Sequence, residues 1–207
     1  MYVLRFPLGQ MQANCYFLIV GTDCVILDPG DSADFILEEL LRRNLNLKAI
    51  LATHGHIDHI MAVGEIQSNF AVPFYVHKDD IFLVDRVAES AEHFLDYKPV
   101  IIRPQNITHI SGDSISVRDF SLQVIYTPGH TPGSVCFFAE QYKILFTGDT
   151  LFKDGIGRYD FRYSNKMKLK YSLEKLFAID DIIKVYPGHG EDTLLHIEKE
   201  AALSLFS

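Results

Sequence analysis

Three imidazoles and a carboxylate fall within six consecutive positions of this chain, His54-Gly55-His56-Ile57-Asp58-His59, just after the apolar run Ala49-Ile50-Leu51-Ala52. Core packing gives no reason for such a cluster. Histidine is the commonest metal ligand among side chains, and aspartate is a hard anionic partner for the same ions. His54 and His56 stand two apart, so on extended chain both rings project to one side. Asp58 and His59 are adjacent and must diverge, so one segment can serve two metal positions. The competing explanation is a His-rich surface loop that picks up metal adventitiously. It loses weight because three more candidate ligands sit in similar settings downstream.

Those three are His130, Asp149 and His189. His130 lies in Tyr126-Thr127-Pro128-Gly129-His130-Thr131-Pro132-Gly133, between the apolar runs Leu122–Tyr126 and Val135–Ala139. Asp149 follows Ile144-Leu145-Phe146-Thr147-Gly148, and His189 follows Val185-Tyr186-Pro187-Gly188. Each time a short β-prone run ends in a Gly or Pro-Gly turn that delivers a ligand-type residue. That pattern reads as ligands on loops at strand ends, where a rigid scaffold presents functional groups. His77, His93, His109 and His196 lack this context and read as surface or structural histidines.

The elements that must position these residues follow from hydrophobic periodicity. Val3–Phe6, Cys15–Val20 and Cys24–Leu27 read as strands, and Asp28-Pro29-Gly30 ends the third. Asp31 or Ser32 is placed to cap a helix over Ala33–Arg43. Lys48–Ala52 is a strand that leads into the histidine cluster. Ile60–Asn69 reads as a helix, Val72–Val76 as a strand and Asp79–Phe94 as a helix. Strands follow at Ile107–Ile110, Leu122–Tyr126, Val135–Ala139, Ile144–Phe146 and Ile183–Tyr186, with helices over Lys166–Phe177 and Asp192–Phe206. Pro99–Gly112 is the most loosely organised stretch, its one strand apart. Strands in groups of two or three with helices between the groups predict two sheets packed face to face and helices outside.

Composition sets limits on function. The 207 residues are expected to form one domain, 1–207, with a sizeable core. A hydrophobic content of 48% and a charged fraction of 22% are ordinary for a soluble globular protein. The formal net charge of −8 argues against nucleic-acid binding, which needs clustered Lys and Arg. The three cysteines, Cys15, Cys24 and Cys136, form no C-x-x-C pair and sit in apolar stretches. They read as small buried hydrophobes in a reducing, cytoplasmic setting. The N-terminal Met1–Phe6 lacks the charged and apolar regions of a signal peptide, and no apolar stretch is long enough to span a membrane.

The run His54–His59, with His130, Asp149 and His189 in that order, resembles the metallo-β-lactamase superfamily. The resemblance extends from Leu27-Asp28-Pro29-Gly30 to Pro187-Gly188-His189-Gly190. It implies an α+β fold, a four-layer αββα sandwich. Thr147-Gly148-Asp149-Thr150-Leu151-Phe152 and Gly157-Arg158 are similar to the glyoxalase II branch. The resemblance implies that His54, His56 and His130 hold one metal and Asp58, His59 and His189 a second. Asp149 would bridge them, and Asp58 is also a candidate proton acceptor. It places Arg158 and Tyr159 near the substrate, with Arg158 meeting a carboxylate of glutathione. Asp28 is a candidate acceptor that orients a metal-bound histidine; its other reading is a plain turn before a helix. The likeness covers only the catalytic domain of glyoxalase II, whose C-terminal helices supply further basic groups for glutathione. It therefore implies a thioester hydrolase more firmly than a glutathione-specific one.

The residue types fit this chemistry on their own. Two divalent ions a few Å apart can share a water and lower its pKa toward neutrality, and one ion can act as a Lewis acid on a carbonyl. Seven protein ligands with a bridging carboxylate leave positions open, whereas a structural zinc site is closed by four ligands and favours thiolates. Zinc is the expected metal, with iron or manganese also suited to His and Asp donors. The reading is a binuclear thioesterase acting on a small S-acylglutathione-like substrate. The alternative is a persulfide dioxygenase-like oxidoreductase with a single iron, suggested by Gly157-Arg158-Tyr159-Asp160-Phe161. A nuclease, a lactonase and a non-catalytic metal-binding module rank lower.

Overall fold

The computed structural model describes residues 1–179 and 182–206. Strands β1 (Tyr2–Leu8), β2 (Ala13–Val20) and β3 (Asp23–Leu27) form an antiparallel meander. Helix α1 (Ala33–Arg42) returns the chain so that β4 (Asn46–Leu51) lies parallel to β3. Helices α2 (Ile57–Ile60) and α3 (Val63–Asn69) precede β5 (Phe74–His77). Helices α4 (Ile81–Asp85) and α5 (Val87–Leu95) precede β6 (Ile107–Ile110). These six strands make the first sheet, ordered β1-β2-β3-β4-β5-β6, with β3 to β6 all parallel.

The second half begins with strands β7 (Ser114–Val117), β8 (Phe120–Tyr126), β9 (Val135–Ala139) and β10 (Ile144–Gly148). A small hairpin of β11 (Leu151–Phe152) and β12 (Gly155–Ile156) follows, then α6 (Lys166–Leu176), β13 (Lys184–Pro187), β14 (Thr193–Leu194) and α7 (Leu195–Ser204). The second sheet is ordered β14-β13-β10-β9-β8-β7.

Three apolar clusters mark the boundaries between four layers. Alternation along a strand decides which boundary each side chain joins. On β2, Cys15 and Phe17 pack toward the helices with Ile36, Leu40, Ile60 and Val63, while Tyr16 and Leu18 face the other sheet. On β9, Phe137 joins that central layer, and Cys136 and Phe138 pack outward under α6 and α7 with Leu169, Leu173 and Leu195. Strand β9 is therefore buried on both faces, and no residue of it could be polar without a partner. This is the αββα sandwich that the resemblance implied.

The departures from expectation are local and have physical causes. The helix read over Ile60–Asn69 is two helices, because the Ala62 N–H bonds to the Pro29 carbonyl instead of closing a helical turn. The helix read over Asp79–Phe94 is divided at Arg86, whose φ of −105° and ψ of 14° lie outside the helical range. The closing helix starts at Leu195, three residues later than read, because Thr193 and Leu194 pair with Val185 and Lys184. Neither Asp31 nor Ser32 caps α1 by a side-chain bond; Asp31 Oδ1 instead accepts from the Ser32 N–H and hydroxyl. Strands β7, β11, β12 and β14 were not expected, three of them being only two residues long.

Phe137 is fully buried between the sheets. Phe137→Ala should cost about 3–5 kcal/mol in chemical denaturation, the usual range for removing a buried aromatic ring. A loss below about 1 kcal/mol would contradict the central packing described for this ring.

Candidate metal centre

Strands β3 and β4 are parallel, and β8, β10 and β13 run in one direction in the second sheet. Their C-terminal ends open onto the same edge of the sandwich, and the loops there carry every ligand-type residue of interest. Asp28 follows β3, His54 to His59 follow β4, His130 follows β8, Asp149 follows β10 and His189 follows β13.

Two groups of donors converge at that edge. In the first, His56 Nδ1 lies 3.1 Å from His54 Nε2 and 2.9 Å from His130 Nε2. Nitrogens about 3.3 Å apart form the edge of a tetrahedron with metal–nitrogen bonds of about 2.0–2.1 Å. In the second, His189 Nε2 lies 3.2 Å and His59 Nε2 3.6 Å from Asp58 Oδ2. Asp149 stands between the groups. Its Oδ1 faces His59 Nε2 at 3.4 Å and His189 Nε2 at 3.7 Å, and its Oδ2 faces His130 Nε2 at 3.4 Å. His54, His59 and Asp149 form a third cluster of possible donors across the middle.

The outward ring nitrogens fix the tautomers. The Arg158 carbonyl can only accept, so His130 Nδ1, 2.8 Å away, carries its proton there. The Thr53 hydroxyl donates to Asp28 Oδ2 at 2.7 Å and is left to accept from His54 Nδ1 at 3.1 Å. Asp28 Oδ2 also accepts from His59 Nδ1 at 3.1 Å. The Nε2 lone pairs of His54 and His130 therefore point into the cluster, toward His56 Nδ1. His59 Nε2 and Asp149 Oδ1 are buried without a hydrogen-bond partner, as is Asn14 Oδ1, which completes the set among the described residues. Converging lone pairs and orphaned buried donors are what a cation would satisfy, so the residues present fit divalent metal ions.

The charges agree. Burial, with His59 and His56 close by, holds His54 well below the ordinary histidine range, and burial beside His130 lowers His56 to about 3. Both are neutral, as coordinating imidazoles must be. Burial alone would depress His59, but the charges of Asp58, Asp149 and Asp28 outweigh it and hold His59 well above its usual value. Burial likewise opposes the charge on His189, and the hydrogen bond to Asp58 and the charge of Asp149 raise it. Asp58 and Asp149 would be pushed up by burial, yet His59 and the neighbouring imidazoles keep both below the usual carboxylate range. The cavity is built for positive charge.

Residues 8–189 match the profile of the metallo-β-lactamase superfamily. The chain belongs to this superfamily. Hydroxyacylglutathione hydrolase GloC of Haemophilus influenzae is 32% identical over 94% of this chain and 93% of its own. Two solved structures are each 32% identical over 96% of this chain: the BLEG-1 B3 metallo-β-lactamase (TM-score 0.89, 97% of that chain) and TTHA1623 in a di-iron-bound form (TM-score 0.87, 98% of that chain). A metallo-β-lactamase fold with this set of His and Asp groups is a divalent-metal enzyme scaffold, and its members include hydrolases.

Not every expected residue lies with the seven. Arg158 contributes its carbonyl to His130, but its exposed guanidinium is bidentate to Asp160 at 2.9 and 2.8 Å and lies 4.3 Å from the centre of the Phe161 ring. Tyr159 turns toward Phe206 and the cluster under α6 and α7. Phe161, which sequence reading left without a role, contacts His56 and His130 edge-on, and Phe152 contacts His189. The His189 side chain is 29% exposed and that of His59 is 0%, so access to the centre is from the His189 side.

Two further supports carried no sequence signal. Thr53 links Asp28 to His54. Asn14 and Tyr16 on β2 pin the His189 loop: the Asn14 amide donates to the Pro187 and Gly190 carbonyls at 3.0 Å each, and the Tyr16 hydroxyl donates to the Pro187 carbonyl at 2.6 Å. They lie over 170 positions from the residues they hold, beyond the reach of any local pattern.

Ions that bind only the folded state stabilise it, by about 2.7 kcal/mol at a free concentration 100 times Kd. Stripping metal with a chelator should therefore lower Tm, and added zinc should restore it. An unchanged Tm after verified metal removal would contradict a cation-filled centre.

Proposed function

We propose that this chain is a binuclear metal-dependent hydrolase of small acyl thioesters, of the S-acylglutathione kind. The observation that carries the reading is the Asp149 carboxylate, with one oxygen toward His59 and His189 and the other toward His130. His54, His56 and His130 are assigned to one cation and Asp58, His59 and His189 to the other, with Asp149 shared. The ions, zinc in this proposal, would supply a water of lowered pKa and positive charge toward a carbonyl oxygen.

The residues of the chain do the rest. Asp28 and Thr53 hold the rings of His59 and His54 in fixed orientation through their outer nitrogens. Asp58, partly open to solvent, turns Oδ2 to His59 and His189 and is the candidate proton acceptor through its other carboxylate oxygen. A thiolate leaves with a conjugate acid of pKa about 8.5, so its departure needs little help from a proton donor, unlike that of an amine. Phe152 and Phe161 place apolar ring edges against His189 and His56. Arg158, held by Asp160, keeps guanidinium N–H groups for a substrate carboxylate; Tyr159 is given no substrate role.

The GloC relative supports the thioester, and the TTHA1623 relative supports a two-metal centre while favouring iron. The acidic chain and its buried, unpaired cysteines support a small-molecule substrate in a reducing compartment, taken here as the cytoplasm, without nucleic-acid or membrane partners. No helix among the described residues is long and apolar enough to cross a membrane.

The test is loss of thioester absorbance from S-D-lactoylglutathione with metal-loaded protein. Asp149→Asn removes the shared carboxylate and should lower kcat by on the order of 100-fold or more, as expected when a shared electrostatic element is lost. Full turnover in that variant at full metal content would overturn the binuclear reading. Oxygen uptake with a glutathione persulfide, and no thioester hydrolysis, would replace it with the single-iron oxidoreductase.

A further inference from the structure

Outside the seven ligands, one fully buried carboxylate sits against both loops of the first donor group. Asp80 lies at the start of α4 and is 0% exposed. Its Oδ2 accepts from the Gly55 N–H at 2.8 Å and from the Thr131 hydroxyl at 2.7 Å, and its Oδ1 accepts from the Gly133 N–H at 2.6 Å. Gly55 separates His54 from His56, and Thr131 and Gly133 follow His130. The Thr131 hydroxyl is also 2.7 Å from Ser134 Oγ, which accepts from the Thr131 N–H at 3.0 Å, so the second loop is stapled to itself and to Asp80.

The two glycines belong to the same device. A Cβ at Gly133 would come within 2.6 Å of Asp80 Cγ, and one at Gly55 within 3.1 Å of Asp80 Cβ and 2.9 Å of Leu83 Cβ. Only a bare backbone can approach the carboxylate closely enough to donate. A buried carboxylate must be matched by donors, and here the donors come from two loops 76 positions apart at their closest, Gly55 and Thr131. Among the described residues, the Asp80 carboxylate bonds to Gly55, Thr131 and Gly133, and to neither Asp58, His59 nor the His189 loop.

We infer that Asp80 is a positioning residue for the His54–His56–His130 metal position, clamping its two loops to one buried carboxylate while leaving the Asp58–His59–His189 position to other supports. The inference rests on the assignment of those imidazoles to two cations. It does not depend on the thioester.

Asp80→Asn tests it in the full chain. The amide nitrogen cannot accept, so at least one loop loses its anchor. Binding of Zn²⁺ alone is followed by competition with a chromophoric chelator. His56→Ala and His189→Ala identify the phase belonging to each position. In Asp80→Asn the phase lost in His56→Ala should weaken about 10- to 100-fold, the usual effect of removing an outer partner of a metal ligand. The other phase should weaken far less, because Asp80 bonds Gly55, Thr131 and Gly133 and leaves Asp58, His59, His189 and the shared Asp149 untouched. Saturating zinc should return kcat toward wild type. Equal weakening of both phases, or no change in either, overturns the inference. If circular dichroism shows Asp80→Asn unfolded, Thr131→Val removes a single donor; a weaker shift in the same phase supports the clamp and no shift overturns it. Wild-type protein that shows both phases but hydrolyses no thioester overturns the proposed function and leaves the role of Asp80 intact.

Discussion

The Asp149 carboxylate, largely enclosed between two sets of imidazoles, is the constraint around which this molecule is arranged. A buried anion is tolerated only when charge and hydrogen bonds surround it. Here one oxygen faces His130 and the other faces His59 and His189, and Oδ1 makes no hydrogen bond at all. His54 and His56 are neutral and cannot balance the charge. The charges of Asp58, Asp149 and Asp28 raise His59 against the effect of burial. Cations would complete the charge balance of this cluster, and the sandwich holds its donors together at one edge.

The sandwich does this by distributing the donors over both sheets. The first sheet supplies the loops after β3 and β4; the second supplies those after β8, β10 and β13. Neither sheet alone contains a full set for either position. The central layer of Tyr16, Leu18, Phe137 and Phe146 packs between the two sheets whose loops carry His54 and His130. Stability and site geometry are thus the same packing problem: a change in the inter-sheet layer is felt at the metal centre without touching a ligand.

Much of this was legible in the sequence, and the reason is geometric. Ligand-type residues followed short apolar runs that ended in Gly or Pro-Gly turns, and such runs mark strand ends whatever the fold. The strands at Ile107–Ile110 and Val135–Ala139 were read to the residue because turns bound them on both sides. Helix breaks were not legible. The break after Ile60 depends on the Pro29 carbonyl, and that contact exists only once the sheet has formed. Asp80 carried no sequence signal, since only tertiary structure buries it. Arg158 and Tyr159 were placed by resemblance alone, and side-chain direction is not carried by a motif: one turns to Asp160 and Phe161, the other to Phe206.

Two cations sharing Asp149 would each lie against a different oxygen of its carboxylate. Anomalous scattering from crystals of the metal-loaded protein, with data collected on both sides of the metal's absorption edge, tests it most directly. Two peaks are expected, one among His54, His56 and His130 and one among Asp58, His59 and His189, each within bonding distance of a different Asp149 oxygen. A single peak at full metal loading, or two peaks with Asp149 bound to only one, would contradict it.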